Sequence, residues 1–414
     1  MKIPLCSLVF FTSPWYNISI FAEGGSAMKY VANFIRNFFR RADLFLLFLC
    51  LVTTIFGWFA IASATHYNGE GAPRNLIMQI ISTFIGIFCY MVLSSIDTDI
   101  FSEHRRLLIF ACFAMILLLV PFGTDNGTGN KSWIPIPFIK IYIQPAELCK
   151  LPFVLILASI MASHQNRPSH LLSVLHIGIF AVLLVGLNIV VSKDLGVSLI
   201  FVFIFLVMAF AGGVSMAWFL GGIGTAAVAA PILWSMLDNY QRYRIQVLFD
   251  PSLDPNGLDV RYHTVRSLRS LTGGGLFGQG LFNGNRTQTP DALFAQHTDF
   301  IFSAIGEELG FIGCFAVILL LFAIIARIFW VGTRSQDYLR RMVCFGCAGA
   351  LIFQVIINVG MCMGLLPVIG LTLPFISYGS SSIISLYAMM GLVSGIYAKP
   401  APTSHERYIR PYRL

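Results

Sequence analysis

The chain has 414 residues, of which 57% are hydrophobic and only 11% charged, with a net charge of +8 and a mean hydropathy of +0.78. Soluble domains carry about 25% charged residues, so this composition excludes a soluble multidomain enzyme and indicates a multi-span membrane protein. The basic residues are spread over short segments with no aromatic-interleaved patch, which assigns the charge to membrane orientation and not to nucleic acid.

Residues 1–27 hold Pro4, Pro14 and Gly24–Gly25 in an apolar stretch too short to cross a bilayer. They read as a leader-like segment or as sequence upstream of a true start at Met28. Val31, Ile35, Phe38 and Phe39 then share a helical face away from Arg36, Arg40 and Arg41, which predicts an interfacial helix within an N-terminal segment, 1–43. Ten apolar spans follow, at about 44–65, 74–95, 106–122, 148–163, 171–191, 195–212, 215–236, 300–329, 341–364 and 376–397. The expected fold is an all-α polytopic membrane protein with ten transmembrane helices over 44–397. A large loop, about 237–299, separates spans 7 and 8, and 398–414 form a basic tail.

With the N-terminus inside, Arg105, Arg106, Arg167, Arg334, Arg340, Arg341 and both basic ends fall on the inner side. Only Arg74, Lys131, Lys140 and Lys193 fall in the short outer loops. The positive-inside rule therefore places both termini in the cytoplasm and the long loop outside. Residues 123–150, with Pro135, Pro137 and Pro145, predict a re-entrant or interfacial segment with Trp133 at headgroup depth. The long loop predicts an amphipathic helix over 240–249, a turn over 250–257 and a second helix over 262–271. Nearly all of the nine cysteines sit in apolar runs, so Cys344 and Cys347 read as packing residues and not as a redox or metal motif.

Ionisable residues in or near spans mark function by default. Residues His297, Thr298 and Asp299 stand where the long loop meets span 8. Asp299 reads as a general base or metal ligand, or as a simple N-cap. Glu147 and Lys150 lie three apart and read as a charged cavity wall or a structural ion pair. Glu307 and Glu308 cannot both stay ionised in lipid, so at least one is expected to face a cavity or a cation. Lys193 and Asp194 read as an interfacial pair. Arg242, Arg244, Arg261, Arg266, Arg269 and Arg286 suit phosphate oxygens. The glycines 273–275, 278 and 280 offer backbone N–H groups to an anion. The uncharged segment 364–382 is broken by Pro367 and Pro374, and Ser377 to Ser382 put small polar groups at the top of the last span.

Several motifs in order now carry a resemblance: QPAELCKL at 144–151, DLGVSL at 194–199, HTDFIF at 297–302, EELG at 307–310 and GLLPVIGLTLPFISYGSSS at 364–382. Together they are similar to the SEDS family, the shape, elongation, division and sporulation proteins of bacterial cell-wall synthesis, over about 44–397. The resemblance implies a peptidoglycan glycosyltransferase of the bacterial inner membrane whose substrate is lipid II. It implies an essential Asp at Asp299 and functional roles for Glu147 and Lys150. It also implies a class B penicillin-binding protein as partner, alongside other elongation-complex membrane proteins. The chemistry it implies is direct, inverting attack of an acceptor GlcNAc 4-hydroxyl on C1 of a donor MurNAc. Asp299 would take the proton, and undecaprenyl pyrophosphate would leave. Positive charge for the pyrophosphate would come from a divalent cation (Mg2+ or Mn2+), from Lys150 or from loop arginines such as Arg244 and Arg269. No organic cofactor is expected. The DPSLDPNG and NGNRTQT segments lean toward the elongation (RodA-like) branch over the division (FtsW-like) branch. The family's usual Leu-Pro-Glu ahead of HTDF is Leu293-Phe294-Ala295 here. Two other classes of function stand beside this one: a flippase for polyprenyl lipids, weakened by the lack of a visible internal repeat, and a non-enzymatic scaffold.

Overall fold

The computed structural model describes residues 27–66, 71–124, 130–136, 141–236, 239–254, 259, 261–290, 292–293 and 295–398. The reading of 1–27 as a leader, and that of 398–414 as a basic tail, fall almost wholly outside them. The chain divides into two units, residues 1–41 and 42–414. The first contains α1 (Ala27–Arg41), a helix with exposed Ile35 and Phe39 and with Arg40 and Arg41 in its last turn.

The second unit is built mainly on helices that are apolar around most of their circumference, as spanning segments must be, joined by shorter or more polar ones. They are α2 (Leu44–Thr65), α3 (Gly71–Ser95), α4 (Thr98–Glu103), α5 (Arg105–Leu117), α6 (Leu119–Phe122), α7 (Pro145–Ser163), α8 (Leu171–Ser192) and α9 (Leu195–Ala211). After them come α10 (Met216–Met236), α11 (Asn239–Phe249), α12 (Tyr262–Gly273), α13 (Ile301–Arg334), α14 (Tyr338–Cys362) and α15 (Ser380–Tyr397). Eight segments are long and apolar enough to cross a membrane, and two shorter apolar helices, Leu195–Ala211 and Met216–Ile232, complete the expected ten. The α7 and α15 spans are the inner ones, 78% and 83% buried, whereas the α5–α6 span is 17% buried. Large apolar side chains such as Phe84, Phe110, Val182 and Val228 face outward in a belt.

Four details differ from the sequence reading. The third span is broken at Leu118 into α5 and α6. The segment before α7 forms a short antiparallel hairpin, β1 (Ile134–Ile136) with β2 (Ile141–Ile143), so the protein is not wholly α-helical. Span 8 is one 34-residue helix interrupted at Gly310, whose φ of 66° and ψ of −162° are non-helical. The last span begins at Ser380 and not near 376, because the backbone from 371 to 377 stays non-helical and buried. Leu371, Leu373, Phe375 and Ile376 are at most 3% exposed. A Cβ at Gly57 would lie 2.8 Å from the Ile376 backbone, so α2 offers glycine where this segment presses on it. Gln79 of α3 pins the same segment, donating to Ser377 O at 3.2 Å and accepting from Gly379 N at 3.1 Å. Non-helical backbone at this depth is tolerated because protein, not lipid, surrounds it.

The end of the bundle opposite the N-termini of α7, α9, α13 and α15 is closed by a buried ion pair. Asp43 caps α2 through Leu46 N (3.1 Å) and accepts from Arg327 Nε at 2.8 Å and Nη2 at 3.1 Å. The Arg327 guanidinium also lies 4.1 Å from the Trp330 ring centroid.

Candidate active site

Neither Asp299 nor Thr298 caps α13. Phe300 occupies the cap position and its side chain makes no capping bond. The turn before it is organised by Ala295, whose φ of 48° is left-handed. The Ala295 carbonyl accepts from Thr298 N (3.1 Å), Phe300 N (3.2 Å) and Thr298 Oγ1 (3.2 Å). The carbonyls of residues 297–299 are each held by a different neighbour. His297 O accepts from Tyr378 N at 2.9 Å, Thr298 O from Ser377 Oγ at 2.6 Å, and Asp299 O from Asn358 Nδ2 at 2.8 Å. Ser377 Oγ in turn accepts from Leu373 N. The main chain of the turn is therefore fixed by the buried 371–378 segment and α14. Among the described residues no donor is hydrogen-bonded to the Asp299 carboxylate. It faces Gly370, where a Cβ would lie 3.4 Å from Oδ2 and where φ is +76°.

Burial, and then the nearby charge of Asp194, push the Asp299 carboxyl up to about 6. Asp194 caps α9 through Val197 N and accepts at Oδ2 from Gln144 Nε2 (3.0 Å) and Ser132 Oγ (3.3 Å). Its own carboxyl is raised, by burial first and also by Glu147, although the bonds from Val197 and Ser132 oppose this. Asp194 therefore belongs to the Asp299 end of the bundle and is not an interfacial partner of Lys193. Lys193 is exposed in a left-handed C-cap. Glu147 and Lys150 make a buried ion pair at 2.7 Å on α7. The pair is the structural bond of the two readings, on an inner helix at the site end of the bundle. Burial lowers the His297 pKa, and its ring lies 5.7 Å from that of Tyr378.

Glu307 and Glu308 do another task. Glu307 accepts from Arg286 N (2.6 Å) and Thr287 Oγ1 (3.0 Å). Glu308 accepts from Ser63 Oγ (2.5 Å) and Gln288 Nε2 (3.0 Å). They clamp the 282–288 loop to α2 and α13. Glu308 does face a cavity, of about 330 Å³, but that cavity is lined mainly by apolar residues such as Phe56, Phe59 and Ala304. The glycine cluster is not an anion cradle either. Its N–H groups at Gln279 and Gly280 donate to Glu307 O (3.0 Å) and Glu308 O (2.9 Å), carbonyls released by the break at Gly310.

The loop arginines divide. Arg244 Nη1 donates to Val368 O at 3.1 Å, two residues from Gly370, which places it beside the site. Arg266 stacks on Tyr262 at 3.9 Å. Arg269 is exposed on α12, and among the described residues no contact ties its side chain to Asp299. His263 went unmarked in the sequence; its ring lies 6.1 Å from that of Phe300, and its pKa is lowered by burial, then by Arg244 and Arg266. Asn358 and Asp194 also escaped the sequence reading as site residues. The DLG motif was the available signal for Asp194. No local signal marks Asn358, because its role comes from a carbonyl 59 residues away. Among the described residues no three His, Cys, Asp or Glu side chains gather in a metal-binding arrangement.

A family model described as a cell cycle protein (FTSW_RODA_SPOVE) matches residues 43–400. The chain belongs to this family. It is 31% identical over 358 residues to the peptidoglycan glycosyltransferase MrdB of Escherichia coli K12, covering 86% of this chain and 93% of that one. It resembles a chain of a structure described as the coordination of polymerization and crosslinking by a peptidoglycan synthase complex. There the TM-score is 0.71 and the identity 28%, over 86% of this chain and 97% of that one. A variant of the Thermus thermophilus Rod shape determining protein RodA aligns with a TM-score of 0.63 and 25% identity, over 86% and 97%. The SEDS protein described here is thus a multi-pass membrane protein.

Proposed function

We propose that this SEDS protein is a peptidoglycan glycosyltransferase that polymerises lipid II into β-1,4 glycan during cell elongation, with Asp299 as general base. The observation that carries the reading is a carboxylate raised toward neutral pH on a backbone fixed by three successive carbonyl bonds. A base with a pKa near the working pH is suited to remove a hydroxyl proton in the transition state. The acceptor 4-OH gives its proton to Asp299 Oδ as its oxygen bonds to C1 of the donor. The C1–O bond to pyrophosphate breaks from the opposite face, which inverts the centre.

Lys150 is already neutralised by Glu147, so Arg244 is the better placed cation for the pyrophosphate. A divalent cation fits the same place, because Mg2+ is commonly held by one or two carboxylates plus substrate phosphates. Asp299 would be such a carboxylate in place of its role as base, and the ion would supply charge neutralisation for the leaving group. A class B penicillin-binding protein fits as partner, because a membrane polymerase needs a transpeptidase beside it to crosslink the strand. The reading sets the protein in the bacterial inner membrane with both termini in the cytoplasm and Asp299 outside.

The test is glycan polymerisation from labelled lipid II by the purified protein with its transpeptidase, with and without EDTA. Wild type should make polymer, and Asp299→Ala and Asp299→Asn should make none while still folding and binding the partner. Equal polymer from all three would remove Asp299 from the chemistry. Lipid II crossing liposomes without polymer would move the protein to the flippase class.

A further inference from the structure

Two amide side chains project from α14 into the interior at the site end. Asn358 spends its Nδ2 on the carbonyls of Asp299 (2.8 Å) and Leu371 (2.6 Å), and its Oδ1 has no partner among the described residues. Gln354, one turn deeper, is 0% exposed, and neither its Oε1 nor its Nε2 meets a partner among the described residues. Buried polar groups are paired in the great majority of cases, and leaving one unmet costs about 1–3 kcal/mol. An amide with both ends unmet in the core of a membrane protein therefore needs a reason.

Its depth supplies one. A Cβ at Gly346 of α14 would lie 2.6 Å from Val154 Cγ1 of α7, which fixes the register of the two helices. They run antiparallel, since α7 starts and α14 ends at the site. From that contact Gln354 is about 12 Å toward the site along α14, and Glu147 about 10.5 Å toward it along α7. Gln354 thus stands at about the height of Glu147 and one turn under Asn358, which holds the Asp299 carbonyl.

We infer that Gln354 is a positioning residue of the reaction site, holding ordered water between its own amide and that of Asn358. One water donating to Gln354 Oε1 and Asn358 Oδ1 meets two of the unmet atoms, and a second accepting from Gln354 Nε2 meets the third. Such waters are integral parts of protein interiors where they find two to four polar partners. Through Asn358 they keep the Asp299 turn in register. The inference rests on the glycosyltransferase reading of Asp299.

The experiment compares wild type, Gln354→Leu and Gln354→Asn as full chains with the cognate transpeptidase. It reads kcat and KM for lipid II, thermal stability, and water density beside Gln354 in a high-resolution map of the wild-type complex. Leu should lower kcat roughly ten- to hundredfold, the scale of a small misplacement at a reacting centre. KM should stay unchanged and Tm close to wild type, because leucine keeps roughly the packing volume of the amide it replaces. Asn, which keeps the amide, should retain most of the rate. Wild-type kcat in the Leu variant would overturn the inference, and so would a dry pocket around Gln354. If the Leu variant does not fold, the Asn variant and the map decide. If wild type itself makes no polymer, the glycosyltransferase reading fails and the map alone tests the water.

Discussion

At the residue scale the site turns on two carboxylates of like sign. Asp194 disfavours the charged form of Asp299, so Asp194→Asn should lower the Asp299 pKa from its value of about 6. The acid limb of the polymerisation pH profile should then move to lower pH, even if the maximal rate falls. An unmoved limb would mean that Asp299 does not set it. The same raised pKa has a stability consequence. The folded-state value lies above the ordinary value of 3.8, so the fold favours the protonated form. The resulting destabilisation is absent below about pH 4 and complete above about pH 6. Asp299→Asn should therefore raise Tm relative to wild type at pH 8 and change it little at pH 4, while abolishing polymerisation. The sequence exposed Asp299 through its motif and its place at a span boundary. It left open whether the carboxylate caps the helix, because that depends on where α13 begins, and helix starts are decided by neighbours such as Asn358 and Ser377.

At the scale of elements, the break at Gly310 and the glycine loop opposite it form one device. A Cβ at Gly278 would lie 2.1 Å from Glu308 O, and φ there is +79°. At Gly275, with φ +56°, a Cβ meets nothing within 4 Å. Gly275→Ala should thus cost only the left-handed conformation, about 1–2 kcal/mol. Gly278→Ala must also push two backbones apart, and should lower Tm further and release the 282–288 loop. Proteolysis of that loop in folded protein is the measurement, and equal sensitivity in both variants would contradict it. A run of glycines has the same composition whether it cradles phosphate or lets two backbones touch. What decides is a partner strand of chain some thirty residues away, which explains why the loop was misread. The ten spans, by contrast, were legible because apolar length is a local property, and the two loop helices because their periodicity is local too. The hairpin before α7 was hidden by its brevity.

Across the whole molecule the two ends of the bundle are built on opposite terms. At the Asp43 end the central ion pair is met, although Arg341 Nε there has no partner among the described residues. Arg327 gives two bonds to a carboxylate that also caps α2, and Tyr90 donates to the Asp43 carbonyl at 2.9 Å. At the Asp299 end the Gln354 amide and the Asn358 Oδ1 meet no partner among the described residues. Unmet polar groups are tolerated where function uses them, at the expense of stability. The two ends should therefore separate stability from activity. Asp43→Ala strips the half-buried Arg327 of its partner and removes the α2 cap, and should cost about 1–3 kcal/mol. It should leave the polymerisation rate per folded molecule near wild type, since Asp43 lies at the far end of the spans from the reacting atoms. Asp299→Asn should do the reverse. Measuring Tm and rate for both in one detergent tests the division. A rate loss in Asp43→Ala that persists after correction for the folded fraction would show that the two ends are coupled through α13, the helix that carries both Arg327 and the Asp299 turn.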